Sequence, residues 1–228
     1  MISVVTITYQ RHRILEEAIQ SFLSQDYKGP SEMVVVNDSP LVEYIFDHPS
    51  VRVINLKDRF ASITKKLEWA MKEAKGDHFY RLDDDDLLAP WALSSATDDI
   101  TNHPGYDIYR SKQQYFFVNN NFQKLASNVN NGNIYSKEFV NRIEFPNKQS
   151  GEDINLTFKL GGKIYEPNGK RPTMLYRWGM NTYHVSGSGI KSNDKVIEET
   201  DRLLKTKEAG VIELHPHFKV DYYSQLPK

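Results

Sequence analysis

The sequence predicts an α/β fold: a mostly parallel sheet flanked by helices, with a smaller and irregular second half. Three observations predict it. Residues 3–9 (Ser-Val-Val-Thr-Ile-Thr-Tyr) form a nearly continuous β-branched run, the pattern of a strand buried on both faces. Ile14, Leu15, Ala18, Ile19, Phe22 and Leu23 then repeat at helical spacing. Residues 32–38 (Glu-Met-Val-Val-Val-Asn-Asp) are a second buried run, ending in a carboxylate. Such a β-α-β opening calls for a right-handed crossover and a parallel strand pair.

The alternation continues. Residues 51–54 read as a short strand, and Leu67, Ala70, Met71 and Ala74 give a helical stripe that stops at Gly76. Residues 78–82 (His-Phe-Tyr-Arg-Leu) form the next strand. Trp91, Leu93 and Ile100 mark a helix closed by the turn His103-Pro104-Gly105. The second half is less regular. Residues 106–118 read as one strand, and the asparagines at 119–121, 128, 130, 131 and 133 mark turns. Residues 151–160 read as a helix with Glu152 and Asp153 in its first turn, where the helix dipole favours acids. Residues 163–165 and 174–177 read as strands, and 193–209 as a last helix. No internal repeat is visible.

At 228 residues the chain is long enough for a substantial core. A net charge of -1 implies no wholesale basic face for nucleic acid. Without cysteine there is neither disulfide nor thiolate chemistry, which fits a reducing compartment. The N-terminus lacks signal-peptide order and no apolar run is long enough to cross a bilayer, so the expectation is a cytoplasmic protein.

The most informative feature is the run Asp83-Asp84-Asp85-Asp86 after the strand at 78–82. Four like charges repel, and a divalent metal is the usual counter-charge that keeps such a group together. The position also matters, because open α/β sheets bind ligands just outside the carboxyl ends of their strands. The plain alternative is one helix-capping aspartate with three solvated neighbours.

Taken together these segments resemble the family 2 glycosyltransferases of the GT-A fold. Residues 2–11, ending Thr8-Tyr9-Gln10-Arg11, resemble the family's first strand, with Gln10 where Asn is usual. Residues 21–27 (Ser-Phe-Leu-Ser-Gln-Asp-Tyr) resemble its Ser-x-Leu-x-Gln-x-Tyr segment, and 34–39 its second strand and Asp. Residues 74–86 resemble its Ala-x-Gly-Asp to Asp-x-Asp-Asp stretch, and Gly151-Glu152-Asp153 its Glu-Asp motif. The family's usual Arg-Asn pair is Leu67-Glu68 here.

The resemblance implies one GT-A domain over 1–228. Within it, 1–104 would bind the nucleotide, 105–190 the acceptor, and 191–228 would form a helix and tail. It implies that Thr8, Tyr9 and Arg11 flank the donor, that Asp38 accepts hydrogen bonds from its base, and that Asp83 meets its ribose. Lys65, with Lys66 beside it, would meet the diphosphate or form a solvated face. Asp85 would hold Mn2+ or Mg2+, with His184 as a further metal ligand. Asp153 would be the general base, and Glu152 would orient acceptor or base. Asp84 would point away from Asp83 and Asp85, and Asp86 would cap the next helix or orient a ligand.

The implied reaction is an inverting transfer from a nucleotide-diphosphate sugar, UDP by default, to a glycan or glycoconjugate hydroxyl. A modified nucleic-acid base is a minority acceptor, motivated by Lys163, Lys170, Arg171 and Arg177 in the second half. A nucleotidyltransferase is disfavoured because residues 8–13 contain no glycine for a phosphate loop. A non-catalytic nucleotide-sugar-binding module is disfavoured by the retained acidic motifs.

Overall fold

In the computed structural model, which describes residues 1–127, 131–148, 154–179, 195, 202 and 207–227, β1 (Ile2–Thr8) lies within a seven-stranded sheet. All seven residues of β1 are buried, as the β-branched run requires. β1 pairs in parallel with β2 (Ser31–Asn37) on one flank and β5 (His78–Arg81) on the other. β4 (Val51–Asn55) extends the parallel set beyond β2. On the other side β10 (Ile134–Ser136) joins β5 antiparallel, followed by β7 (Ile108–Tyr109) and β11 (Ile164–Tyr165).

Helices cover both faces of this sheet. Leu15, Ala18 and Ile19 of α1 (His12–Leu23) and Leu93 and Ala96 of α3 (Ala92–Asn102) pack with Val4, Met33, Val35 and Tyr80. On the opposite face Leu67, Ala70 and Met71 of α2 (Ile63–Glu73) and Phe139 and Val140 of α4 (Lys137–Arg142) pack with Val5, Val34, Val36 and Phe79. Neighbours such as Val4 and Val5 serve opposite layers because strand side chains alternate.

The second half builds a sheet of its own. β6 (Leu87–Leu88), β12 (Met174–Trp178), β8 (Gln113–Val118) and β9 (Asn121–Ser127) lie side by side. Asn119 (φ +48°) and Asn120 (φ +67°) connect β8 to β9, the pair of left-handed residues that a two-residue primed turn needs. The single strand expected over 106–118 is two strands in different sheets. Arg110, ion-paired with Glu166 at 3.0 Å, and Ser111, whose hydroxyl donates to the Gln113 carbonyl at 2.8 Å, separate them. Residues 155–159 form a single π-helical turn, so the described part of the 151–160 helix is wider and shorter than expected.

Two segments were not foreseen. β3 (Val42–Ile45) pairs in parallel with β13 (Gly210–Glu213), near the C-terminus. β10 and α4 follow the turn-rich asparagine segment. The helix expected over 193–209 falls largely outside the described residues. Among the described residues no helix is long and apolar enough to cross a membrane.

Candidate functional site

β5 ends earlier than β1: Val5 pairs with Arg81, whereas Thr8 pairs with Asn37 on β2. The four aspartates therefore leave the large sheet beside the exit of β1 and enter the small sheet at β6. Ser21 of α1 fixes that passage, its hydroxyl accepting from the Leu88 N–H at 3.0 Å. Gln25 does the same one turn later, donating to the Ala89 carbonyl and accepting from the Leu93 N–H.

The aspartates do not run straight. The Asp86 N–H donates to the Asp83 carbonyl at 3.1 Å, and this turn brings Asp83, Asp85 and Asp86 together. One carboxylate oxygen from each lies within 4.8 Å of the others. Asp84 points elsewhere, into the fork of Arg11, whose Nε donates to Asp84 Oδ2 at 3.0 Å while Nη2 contacts Oδ1. Arg11 Nη1 also donates to Asp85 Oδ2 at 3.1 Å, so one guanidinium spans two of the four. Asp86 caps no helix, since the residue at the start of α3 is Trp91. Instead Asp86 Oδ1 accepts from the Arg177 backbone N–H at 2.9 Å.

Counter-charges surround the group. Buried Arg81 donates to both oxygens of Asp83, at 3.1 and 3.2 Å, and Asn131 donates to Asp83 at 2.9 Å. Arg177 Nε donates to the Asp85 carbonyl at 2.6 Å. Burial still dominates for the two enclosed carboxyls. It pushes Asp86 well above the usual carboxylate range, helped by the charges of Asp85 and Asp83. Burial also raises Asp84, while Arg11 opposes the rise. An arrangement in which close carboxylates resist ionising together fits a hard, oxygen-preferring divalent cation.

A second polar cluster lies at the ends of β1 and β2. Asp38 is buried there; its Oδ1 accepts from Lys66 Nζ at 2.5 Å and its Oδ2 from the Phe60 N–H at 2.9 Å. Lys66 also donates to the Thr8 carbonyl at 2.5 Å, tying the two strand ends together. Burial lowers the Lys66 pKa, and the Asp38 charge opposes that. Tyr9 carries the Arg59 guanidinium 4.0 Å above its ring, a cation–π contact.

Thr8, Tyr9, Arg11, Asp38, Asp83 and Asp85 thus gather at neighbouring strand ends. Lys65 stands apart: its Nζ is 3.1 Å from Glu68 and 3.8 Å from Glu144, and Lys66 is the lysine on Asp38. Glu152, Asp153 and His184 lie outside the described residues, as do Tyr183 and the Gly187–Gly189 pair. Sequence reasoning missed Arg81 and Asn131. It read Arg177 as part of a basic surface, yet Arg177 is buried on Glu17 at 2.7 Å. Lys170 is held by Asp99, and Arg171 stacks on Trp91 at 3.2 Å.

Comparison with known proteins agrees with this arrangement. The model of "Glycosyl transferase family 2" matches residues 3–164. An uncharacterized glycosyltransferase, YwdF of Bacillus subtilis (strain 168), is 26% identical over 170 residues. That match takes in 72% of this chain and 57% of the relative's own length. Among solved structures, S. aureus TarS 1-349 in complex with UDP-GlcNAc has a TM-score of 0.64 at 19% identity, covering 92% of this chain and 68% of that one. The mannosyltransferase PcManGT from Pyrobaculum calidifontis, in complex with GDP-Man and Mn2+, has a TM-score of 0.58 at 16% identity, covering 92% and 65%. At such identities the structural likeness speaks for the fold, and it is the GT-A fold that the first strands resembled. With the family model spanning both Asp38 and the four aspartates, the chain belongs to glycosyl transferase family 2.

Proposed function

We propose that this chain is an inverting glycosyltransferase that moves a sugar from a nucleotide diphosphate to an acceptor hydroxyl. The observation that carries the reading is the convergence of Asp83, Asp85 and Asp86 within 4.8 Å, with only β1 between the strand they follow and the strand that ends at Asp38. A nucleotide sugar needs both features side by side. One receives the base, and the other faces the ribose and diphosphate.

In this reading Asp38 accepts from a base N–H, and Thr8 and Tyr9 flank the base. Asp83, braced by Arg81, faces the ribose. Asp85, with Asp83 and Asp86, would hold Mn2+ or Mg2+, which would supply positive charge to the departing diphosphate. Lys65 would have to leave Glu68 to meet that diphosphate. By resemblance, Asp153 takes the proton of the acceptor hydroxyl as its oxygen attacks the anomeric carbon. The bond from that carbon to the diphosphate oxygen breaks in the same displacement, inverting the centre. Such a base contributes roughly 10²–10⁴-fold. Glu152 orients the acceptor and His184 is a further ligand candidate. The bound UDP-GlcNAc and GDP-Man of the two structural relatives make UDP and GDP the first nucleotides to try. A glycan or glycoconjugate is the acceptor class we assign.

The test is calorimetric titration of the whole chain with UDP and with GDP, each with and without Mn2+. Metal-dependent binding of one nucleotide, abolished by Asp85→Ala, is the expected result. Equal binding by the Asp85→Ala variant would remove the aspartate group from the donor site. No binding of either nucleotide in Mn2+ would overturn the reading.

A further inference from the structure

The family match ends at residue 164, yet a carboxylate from far beyond it reaches the two residues that flank Arg11, the arginine on Asp84 and Asp85: its chain neighbour His12 and its backbone partner Tyr44. α1 begins without a side-chain cap of its own, at Arg11. Glu208 supplies one. Its Oε1 accepts from the His12 backbone N–H at 3.1 Å and lies 2.7 Å from His12 Nδ1. Its Oε2 accepts from the hydroxyl of buried Tyr44, which in turn accepts from the Arg11 backbone N–H at 3.1 Å. Burial and Glu208 both raise the Tyr44 pKa, so the phenol stays a donor. A carboxylate here also meets the positive end of the α1 dipole.

Arg11 is the junction. Its backbone N–H is held by Tyr44, which Glu208 holds in turn while also taking the N–H of the next residue, His12, and its guanidinium holds Asp84 and Asp85. A guanidinium is a rigid planar fork, so the place where its stem begins constrains both carboxylates at its tip. Asp85 is engaged at Oδ2, which leaves Oδ1 as a donor atom for a cation.

We propose that Glu208 is a positioning residue for the metal site, acting through Tyr44 and Arg11 on the orientation of Asp85. The inference rests on the donor-site reading of the aspartates. It adds that a C-terminal segment outside the family match tunes that site. Neither Glu208 nor Tyr44 touches the aspartates, so both act only at one remove.

The experiment measures Mn2+ affinity in the presence of UDP for the whole chain. Wild type is compared with Glu208→Gln, Glu208→Asp, Tyr44→Phe, Arg11→Lys and the Glu208→Gln/Arg11→Lys double variant, with a thermal melt of each. We expect Glu208→Gln and Tyr44→Phe each to weaken Mn2+ binding about fivefold, the scale of coupling between residues in one hydrogen-bonded network. Glu208→Asp recovers part of the loss. In the Arg11→Lys background, Glu208→Gln adds less than about twofold, because the fork it positions is gone. A full fivefold effect in that background would overturn the proposal, since Glu208 would then act by another route. So would wild-type affinity in both Glu208→Gln and Tyr44→Phe, even with lowered melting temperatures. Tyr44→Phe removes a single oxygen and guards against a Glu208 variant that fails to fold. If wild type itself binds neither Mn2+ nor UDP, the donor-site reading fails first. If wild type binds and Glu208→Gln matches it, only the positioning role is lost.

Discussion

Arg177 joins distant parts of the molecule at the site. Its Nη1 donates to Glu17 at 2.7 Å and to Tyr222 at 3.1 Å, its Nε donates to the Asp85 carbonyl, and its backbone N–H holds Asp86. Both members of the Arg177–Glu17 pair are almost wholly buried, with side chains 3% and 1% exposed. Breaking such a pair strands a charge out of water, whereas replacing both members removes the problem. Arg177→Met should therefore destabilise the protein by about 3–5 kcal/mol. The Glu17→Leu/Arg177→Met double variant should lose much less. Urea unfolding of the three proteins checks this, and equal losses in the single and double variants would refute it. No local signal marks this arginine. Its partner is 160 positions upstream, and beside Lys170 and Arg171 it reads as one more surface cation. The aspartates are the opposite case. Their charge density is a property of four adjacent letters, so they are visible without a fold, while the turn that sorts Asp84 from the other three is not.

At the scale of elements, what was legible is what is local. β1, α1 and β2 each carry a period that a short window reveals, and their parallel pairing follows from the helix between them. β3 has only four residues, and its partner β13 begins 168 positions later. β7 and β8 look continuous because the break between them is an ion pair of buried Arg110 with half-buried Glu166, a tertiary event. β5, which delivers the aspartates, carries its own titratable group. His78 sits at its first position, edge-on to Tyr109 at 5.8 Å. Burial lowers its pKa below the ordinary 6.5, outweighing the pull of Asp77 and Glu138. The unfolded chain then binds the proton more readily than the folded one in the window just below pH 6.5, so stability falls as pH drops through it. His78→Gln should flatten this slope between about pH 7 and pH 5, measured as denaturant midpoints. An unchanged slope would mean that His78 is accommodated equally well when charged.

At the scale of the whole molecule, the residues after 207 bind together parts that the family-like region leaves apart. β13 extends β3, and Leu214 enters the same apolar layer as Leu15, Val42 and Tyr44. Further on, Tyr222 and Leu226 pack with Leu87, Phe117 and Leu175 beneath the small sheet. Backbone N–H groups of His215 and Lys219 donate to Glu16 and Glu17, two acids on the buried side of α1. α1 thus has one face on the large sheet and another against this segment, which explains why a helix can bury two glutamates: Glu16 and Glu17 accept from backbone N–H groups that follow β13, and Glu17 also pairs with Arg177. The Tyr222 hydroxyl belongs to the same network: its oxygen accepts from Arg177 and lies 2.9 Å from both Glu17 Oε1 and the Asn120 Oδ1 at the β8–β9 turn, so its one proton serves one of the two acceptors at a time. If the segment is a late wrapping with its own marginal stability, its loss should leave the rest unfolding as before. The packing argues otherwise, because Tyr222 is 1% exposed and touches both the small sheet and α1's buried acid. Tyr222→Ala should cost about 3–5 kcal/mol, as for other buried aromatics. For a chain of this size that lowers the melting temperature by on the order of 10 °C in a single transition. A first, separate transition for the C-terminal segment, with the main melt unmoved, would show that α1 and the aspartates it braces hold without it.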